Sequence, residues 1–315
     1  MNSPQVTVLM SVYNGMPYLS VAIESILNQT FQDVELIIIE DCSTDDSLEY
    51  LKSLRDHRIR LETNKVNLGM AASLNKGLLM AKGKYIARLD ADDVALPNRI
   101  KTQFEFLELH PNIEFCGSHA QVIDQNDAPL FIWKRTLTPL EIRWKILFKN
   151  PFIHSSVMFR RNTVVDNGIT YQNLSGTDDY KFWSDLLKFG EGSNLDQVLI
   201  QYRLHDKSMT KYNSTYMKAA HVHVALYNQS FLLRRTLSFS DCEKLILAWQ
   251  KNGHTFRSAN LYFKLLKNLC QANRHNPEIE SLCKNCGKSL LNLLSSKHIK
   301  LIFYIRLLLL RIQFR

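Results

Sequence analysis

The chain has none of the glycine-rich loops that cradle phosphates in many nucleotide-binding proteins. The turn after its first apolar run holds one glycine, Gly15, so no Gly-x-Gly-x-x-Gly fingerprint opens there. No Gly-x-x-x-x-Gly-Lys-Ser/Thr loop occurs either, which excludes the common phosphate-loop route to a bound nucleotide. Cysteine is sparse, at six in 315 residues, and scattered, which excludes a disulfide-stapled scaffold and argues for reduced thiols. Cys283 and Cys286 have zinc-knuckle spacing but lack a second pair at a usual distance, so a structural zinc is not expected. Met1-Asn2-Ser3-Pro4 carries no basic segment and no apolar segment of a secretory leader, and a cytoplasmic setting is expected. No apolar stretch reaches the ~20 residues needed to span a bilayer.

The charge is present but unevenly placed. Residues 206–315 hold 18 Lys and Arg against 5 Asp and Glu, whereas residues 1–205 hold 21 against 25. An acidic first part and a basic second part suggest two roles. Within the basic part, residues 299–313 are apolar with spaced cations. Such a helix can lie on an anionic membrane surface, giving peripheral contact with an inner membrane face. The alternative is that it packs on the body of the protein or on a second copy in a homodimer. The basic region carries no recognisable nucleic-acid motif, so a polyanion-binding protein is a minor alternative and no nucleic-acid partner is expected.

The most informative stretch is Ile86-Ala87-Arg88-Leu89-Asp90-Ala91-Asp92-Asp93. Three carboxylates crowd into four positions where a strand ends, and like charges so close need a cation or a row of donors. Oxygen ligands suit magnesium or manganese, and such an ion usually takes one or two carboxylates plus substrate phosphates. Strand-like runs at 6–12, 34–39, 59–61 and 84–89 alternate with helical patterns at about 17–28, 45–54, 69–81 and 97–109. This alternation predicts an α/β fold with a mostly parallel sheet flanked by helices. Ligands of such sheets bind beyond the carboxyl ends of the strands. Tyr13-Asn14, Glu40-Asp41 and Asp90 to Asp93 all fall at such ends. Ser43 is a plausible cap for the second helix, and Thr138-Pro139 reads as the start of another. Residues 156–159 and 197–203 read as strands and 179–188 as a helix. Beyond Met209 nearly everything reads as helix, giving a domain over 1–210 and a basic helical region over 211–315.

Seven short motifs, each weak alone, then fall in a recognisable order: Val8 to Asn14; Glu40-Asp41-Cys42-Ser43-Thr44-Asp45; Asn67-Leu68-Gly69; Asp90 to Asp93; His154-Ser155-Ser156-Val157-Met158; Thr177-Asp178-Asp179-Tyr180; and Tyr202-Arg203-Leu204-His205. Over about residues 4–210 the chain resembles family 2 glycosyltransferases of the GT-A fold. The resemblance implies an inverting, metal-dependent hexosyl transfer from a nucleotide-diphospho-sugar, UDP-linked, to a growing glycan or lipid-linked glycan of the lipopolysaccharide, O-antigen or capsule type. It places the Tyr13 ring against the base and Asp41 on the base N–H, with Glu40, Asp90, Asp92 and Arg203 also on the nucleotide-sugar. It gives the metal, Mn2+ or Mg2+, to Asp92 and Asp93 with His205, and the catalytic base to Asp179. His154 and Asp178 fall on the acceptor side. Glu40 stands where many members have aspartate, Cys42 where many have glycine, and Asp178 where glutamate is frequent. A nucleotidyltransferase on a similar α/β fold is the alternative enzyme, although it needs basic residues around a triphosphate near the first strand, and none are placed there.

Overall fold

The computed structural model describes residues 3–135, 137–174, 176–206, 208, 215–233, 237–250 and 256–272. The apolar stretch 299–313 and the Cys283–Cys286 pair lie outside the described residues. The chain forms two compact units. The first comprises Met1–Leu137 and Phe152–Asn213, and the second Thr138–Pro151 with the chain from Ser214 on. The sequence reading places 138–151 with the N-terminal domain; their contacts lie with the second unit instead.

The first unit is a nine-stranded sheet covered by helices. Its strands are β1 (Val6–Val12), β2 (Val34–Glu40), β3 (Ile59–Thr63), β4 (Tyr85–Arg88), β5 (Val94–Ala95), β6 (Ile113–Ile123), β7 (Pro129–Trp133), β8 (Met158–Arg160) and β9 (Glu191–Arg203). The order across the sheet is β3-β2-β1-β4-β8-β6-β9-β5, with β7 paired to β6. The half built from β3, β2, β1 and β4 is parallel. Beyond β4 the sheet becomes mixed: β8 runs antiparallel to both β4 and β6, β6 runs parallel to β9, and β7 and β5 return antiparallel. β1 and β2 are apolar runs because both their faces are covered.

The chain's helices are α1 (Leu19–Leu27), α2 (Ser47–Ser53), α3 (Met70–Met80), α4 (Arg99–Leu109), α5 (Pro139–Lys145), α6 (Arg161–Asp166), α7 (Asp178–Leu186), α8 (Thr215–Leu233), α9 (Phe239–Gln250) and α10 (Phe256–Ala272). Helix α1 lays Leu19, Ala22, Ile23 and Ile26 on the sheet, the spacing of an apolar helix face. Helix α3 approaches β1 closely at Gly77, where a Cβ would come within 2.1 Å of Leu9 Cδ1. Two boundaries differ from the sequence reading. Pro17 precedes α1, whose N-cap is Tyr18. Ser43 does not cap α2, whose N-cap is Asp46. β6 and β7 have no counterpart among the expected strands.

In the second unit, Thr138 caps α5 by accepting from Glu141 N at 3.3 Å, with Pro139 in the first turn. Leu140, Trp144, Leu147 and Phe148 share one core with Val222, Leu245, Tyr262 and Leu266 of α8, α9 and α10. Trp144 packs edge-on to Phe148 and Tyr262.

Candidate active site

The carboxyl ends of β1, β2 and β3 continue into loops that are fastened to one another. After β1 the chain turns at Asn14, which takes φ +52°, a conformation Asn tolerates better than most residues. Asn14 N donates to Ser43 Oγ, Gly15 N to Ser47 Oγ and Met16 N to Asp45 Oδ2. In return Asn14 Oδ1 accepts from Thr44 N at 2.8 Å. Ser43 and Asp45 therefore join two loops. Tyr13, at the end of β1, leaves its ring half exposed.

Glu40 is buried, and its carboxylate accepts from Cys42 N and Ser43 N at 3.3 and 2.6 Å. These two bonds let Glu40 shape its own turn. That turn needs bracing, because Cys42 stands at φ +63°, where a side chain costs about 1–2 kcal/mol. Asp41 is buried too. Its Oδ1 accepts from Asn64 Nδ2 and Leu68 N, and its Oδ2 from Gly69 N at 2.8 Å. A carboxylate has about four acceptor sites, so one of them remains for a ligand N–H. Gly69 adopts φ +85° at the start of α3, the left-handed region that favours glycine.

The acidic stretch follows β4. Arg88, fully buried, donates to Leu9 O and to Asp90 Oδ1, and its Nε donates to His154 Nε2 at 3.1 Å. Ser155 Oγ donates to Asp90 Oδ2 at 2.8 Å and accepts from Asp90 N. Burial works against ionisation of Asp90, but Arg88, His154 and Ser155 together hold its carboxyl below the usual range. His154 Nε2 also accepts from Tyr171 OH at 3.2 Å. Burial and the Arg88 charge push the imidazole down to about 3, so it stays neutral. His154 thus belongs to a buried network behind Asp90.

Asp92 and His205, 113 residues apart in sequence, meet at 2.9 Å between Oδ2 and Nε2. The Asp92 side chain is one-third exposed, and the His205 ring packs on Tyr18 at 5.2 Å. Asp93 points inward: Oδ1 accepts from Arg203 N at 2.8 Å, and Oδ2 is buried with no hydrogen-bond partner. Burial first, then the Asp92 and Asp90 charges, push its carboxyl well above the usual range. Arg203 is also buried. Its Nε donates to Asp92 O at 2.9 Å, its NH1 to Asp124 O, and its NH2 pairs with Asp127, while the guanidinium lies 4.5 Å from the Tyr18 ring. These contacts make Arg203 a clamp on the acidic turn. Among the described residues no group of three or more His, Cys, Asp or Glu side chains is arranged as a metal cage.

Asp178 and Asp179 occupy the first turn of α7, where the helix dipole favours negative charge. Asp178 is buried and accepts from Leu174 N and Gly176 N at 2.8 and 3.0 Å, so it shapes the loop before the helix. Asp179 is partly exposed, with Oδ1 accepting from Tyr180 N at 2.7 Å. Phe182 stacks on Tyr171 at 4.1 Å, which ties α7 to the network behind Asp90. The sequence reading passed over Arg88 and Tyr171. A cation two residues before three carboxylates was the available signal for Arg88; Tyr171 had none.

The edge of the α/β sheet thus gathers an acidic turn after β4, a His just beyond β9 beside it and a carboxylate at the start of α7. Residues 7–167 match the family model described as glycosyl transferase family 2. The chain belongs to that family and is an enzyme of the glycosyltransferase class. It is 31% identical over 247 residues to the O-antigen biosynthesis glycosyltransferase WbnJ of Escherichia coli, covering 75% of this chain and 93% of that one. It is 30% identical to UDP-Glc:alpha-D-GlcNAc-diphosphoundecaprenol beta-1,3-glucosyltransferase WfaP of E. coli, over 65% of this chain and 79% of that one. Its fold is similar to that of S. aureus TarS 1-349 in complex with UDP-GlcNAc, with a TM-score of 0.60 and 17% identity over 96% of this chain and 90% of that one. Membership sets aside the nucleotidyltransferase and polyanion-binding readings.

Proposed function

We propose that this enzyme moves a sugar from a UDP-linked nucleotide-diphospho-sugar to a hydroxyl of a lipid-linked glycan, with inversion, during assembly of a bacterial surface polysaccharide. The observation that carries the reading is the meeting of Asp92 with His205 at 2.9 Å, at a strand end next to the one that bears Tyr13. The relatives named for O-antigen synthesis and for UDP-Glc transfer to a diphosphoundecaprenol acceptor support the choice of donor and acceptor.

The residues fit a divalent cation of the manganese or magnesium type. Asp93 Oδ2 is an orphaned buried oxygen; burial first, then the Asp92 and Asp90 charges, push its carboxyl toward protonation, and a cation beside Asp92 would relieve the charge repulsion. Asp92 and His205 would hold the ion, with donor phosphates and water completing its shell. When bound, the ion neutralises charge on the leaving diphosphate. The remaining work falls to the chain. Tyr13 offers its half-exposed ring to the base, a stacking contribution of ~1–3 kcal/mol. Asp41 offers its remaining acceptor site to the base N–H. Asp90, held by Arg88 and Ser155, faces the sugar as a fixed carboxylate. Asp179 takes the proton of the acceptor hydroxyl as that oxygen bonds to the anomeric carbon and the bond to the diphosphate breaks on the opposite face. One base and one displacement invert the centre.

Calorimetric titration of UDP-sugars into the purified protein, with and without Mn2+, tests the reading. Manganese-dependent affinity for at least one donor is expected. Equal or absent affinity in both conditions, for every donor, overturns it.

A further inference from the structure

Arg135 lies two residues beyond β7. Its guanidinium makes no ion pair or hydrogen bond among the described residues, and its Nε is buried without a partner. The guanidinium carbon lies 3.7 Å from the Trp133 ring centre, and Trp133 in turn meets Tyr202 edge-on at 5.5 Å. The group is held in place from behind. Arg135 N donates to His119 Nδ1 at 3.2 Å, and buried His119 donates through Nε2 to Asp196 at 3.0 Å. Burial pushes the guanidinium down to about 10, while Tyr202 and Asp179 act in the opposite sense. It therefore stays charged at neutral pH, and the Asp179 carboxylate is within its electrostatic reach. A buried charge is costly unless it is paired, and stacking on an indole offsets only part of that cost.

We propose that Arg135, seated on Trp133, forms an acceptor subsite for a sugar bearing an anionic group, a carboxylate or a phosphate, beside the base. The proposal rests on reading Asp179 as the base, which makes its surroundings the acceptor side. A planar guanidinium matches either anion with two parallel hydrogen bonds. In the proposed reading the donor diphosphate is met elsewhere, through the cation that Asp92 and His205 would hold. The enzyme therefore selects a charged acceptor and leaves neutral sugars weakly held.

The test uses the full chain with UDP and Mn2+ present. Three probes are titrated by calorimetry: methyl glucuronide, glucose 6-phosphate and the neutral methyl glucoside. The wild-type protein is expected to bind the better charged probe about tenfold or more tighter than the neutral one, as charge-assisted hydrogen bonds allow. Arg135→Gln should erase that preference and leave the neutral probe and UDP unaffected; Arg135→Lys should restore part of it. A preference for glucose 6-phosphate points to a phosphate-bearing acceptor, and a preference for the glucuronide to an acidic sugar. No preference for charged probes in the wild-type protein, absence of binding included, overturns the proposal without recourse to any variant. So does an Arg135→Gln protein that loses UDP affinity while keeping its preference. Failure of UDP itself to bind counts against the proposed function instead, because the probe comparison does not depend on it.

Discussion

Replacing Arg203 by Met separates two roles that the sequence alone leaves fused. If Arg203 contacts donor phosphates, its loss weakens nucleotide binding and leaves the free protein intact. If it clamps the acidic turn, its loss is felt before any ligand arrives. The structure supplies the magnitude. The guanidinium donates to Asp92 O at 2.9 Å and Asp124 O at 3.2 Å, and hydrogen bonds involving a charged group contribute about 1.5–3 kcal/mol each. The pair with Asp127 adds at most ~1 kcal/mol, because that carboxylate is two-thirds exposed. Methionine keeps much of the packing against Tyr18. The expected loss is therefore ~4 kcal/mol. For a unit of this size, ~1 kcal/mol shifts the midpoint by about 2–4 °C, so ligand-free Arg203→Met should melt roughly 8–16 °C below wild type. Scanning calorimetry of the free protein measures this, and a parallel UDP titration with Mn2+ records affinity. A melting point within ~2 °C of wild type, together with a weakened UDP affinity, would refute the clamp.

Further expectations concern other parts of the site. Asp179→Asn should keep donor affinity within about twofold while transfer falls ~10²–10⁴-fold, the range of a lost general base; stopped assays with the acceptor fraction separate the two. Asp92→Ala and His205→Ala should each reduce the manganese-dependent part of UDP-sugar affinity by at least about tenfold, and EDTA should bring wild type to the same level. His154 has a folded-state pKa of about 3 against an ordinary 6.5, so the folded protein binds fewer protons between those values. Its contribution is complete above about pH 6.5 and is lost as pH falls toward 3, at up to ~1.4 kcal/mol per pH unit. His154→Gln should flatten urea-measured stability across that window, and an unchanged slope would count against a buried neutral imidazole.

The alternating strands and helices of the first half were legible because β1, β2 and β4 are apolar runs bounded by turns. β6 was not, since Cys116, Ser118, His119 and Gln121 break any apolar pattern and are made tolerable by partners far away, such as Asp196 for His119. The site was legible in outline for a similar reason. Polar residues at strand ends mark the ligand edge, but they do not say which of them faces the ligand. Glu40 and Asp178 looked like ligand-facing carboxylates. Backbone N–H groups two to four residues away hold them, through a turn geometry that residue type alone does not encode. Arg203 and His205 stand two apart on one strand exit, yet Arg203 donates to Asp92 O and His205 meets the Asp92 side chain, a distinction that residue spacing does not encode.

The excursion of residues 138–151 has a consequence for anyone dissecting this enzyme. A fragment ended at 210 retains α5 but discards α8, α9 and α10, so Leu140, Trp144, Leu147 and Phe148 are left facing water. A single tryptophan of this kind hides roughly 150–250 Å², and a bare cluster of four such side chains is the sort of sticky surface that drives precipitation. Minimal catalytic fragments should therefore be cut by excising the second unit at both of its entry points and bridging 137 to 152, not by trimming the tail.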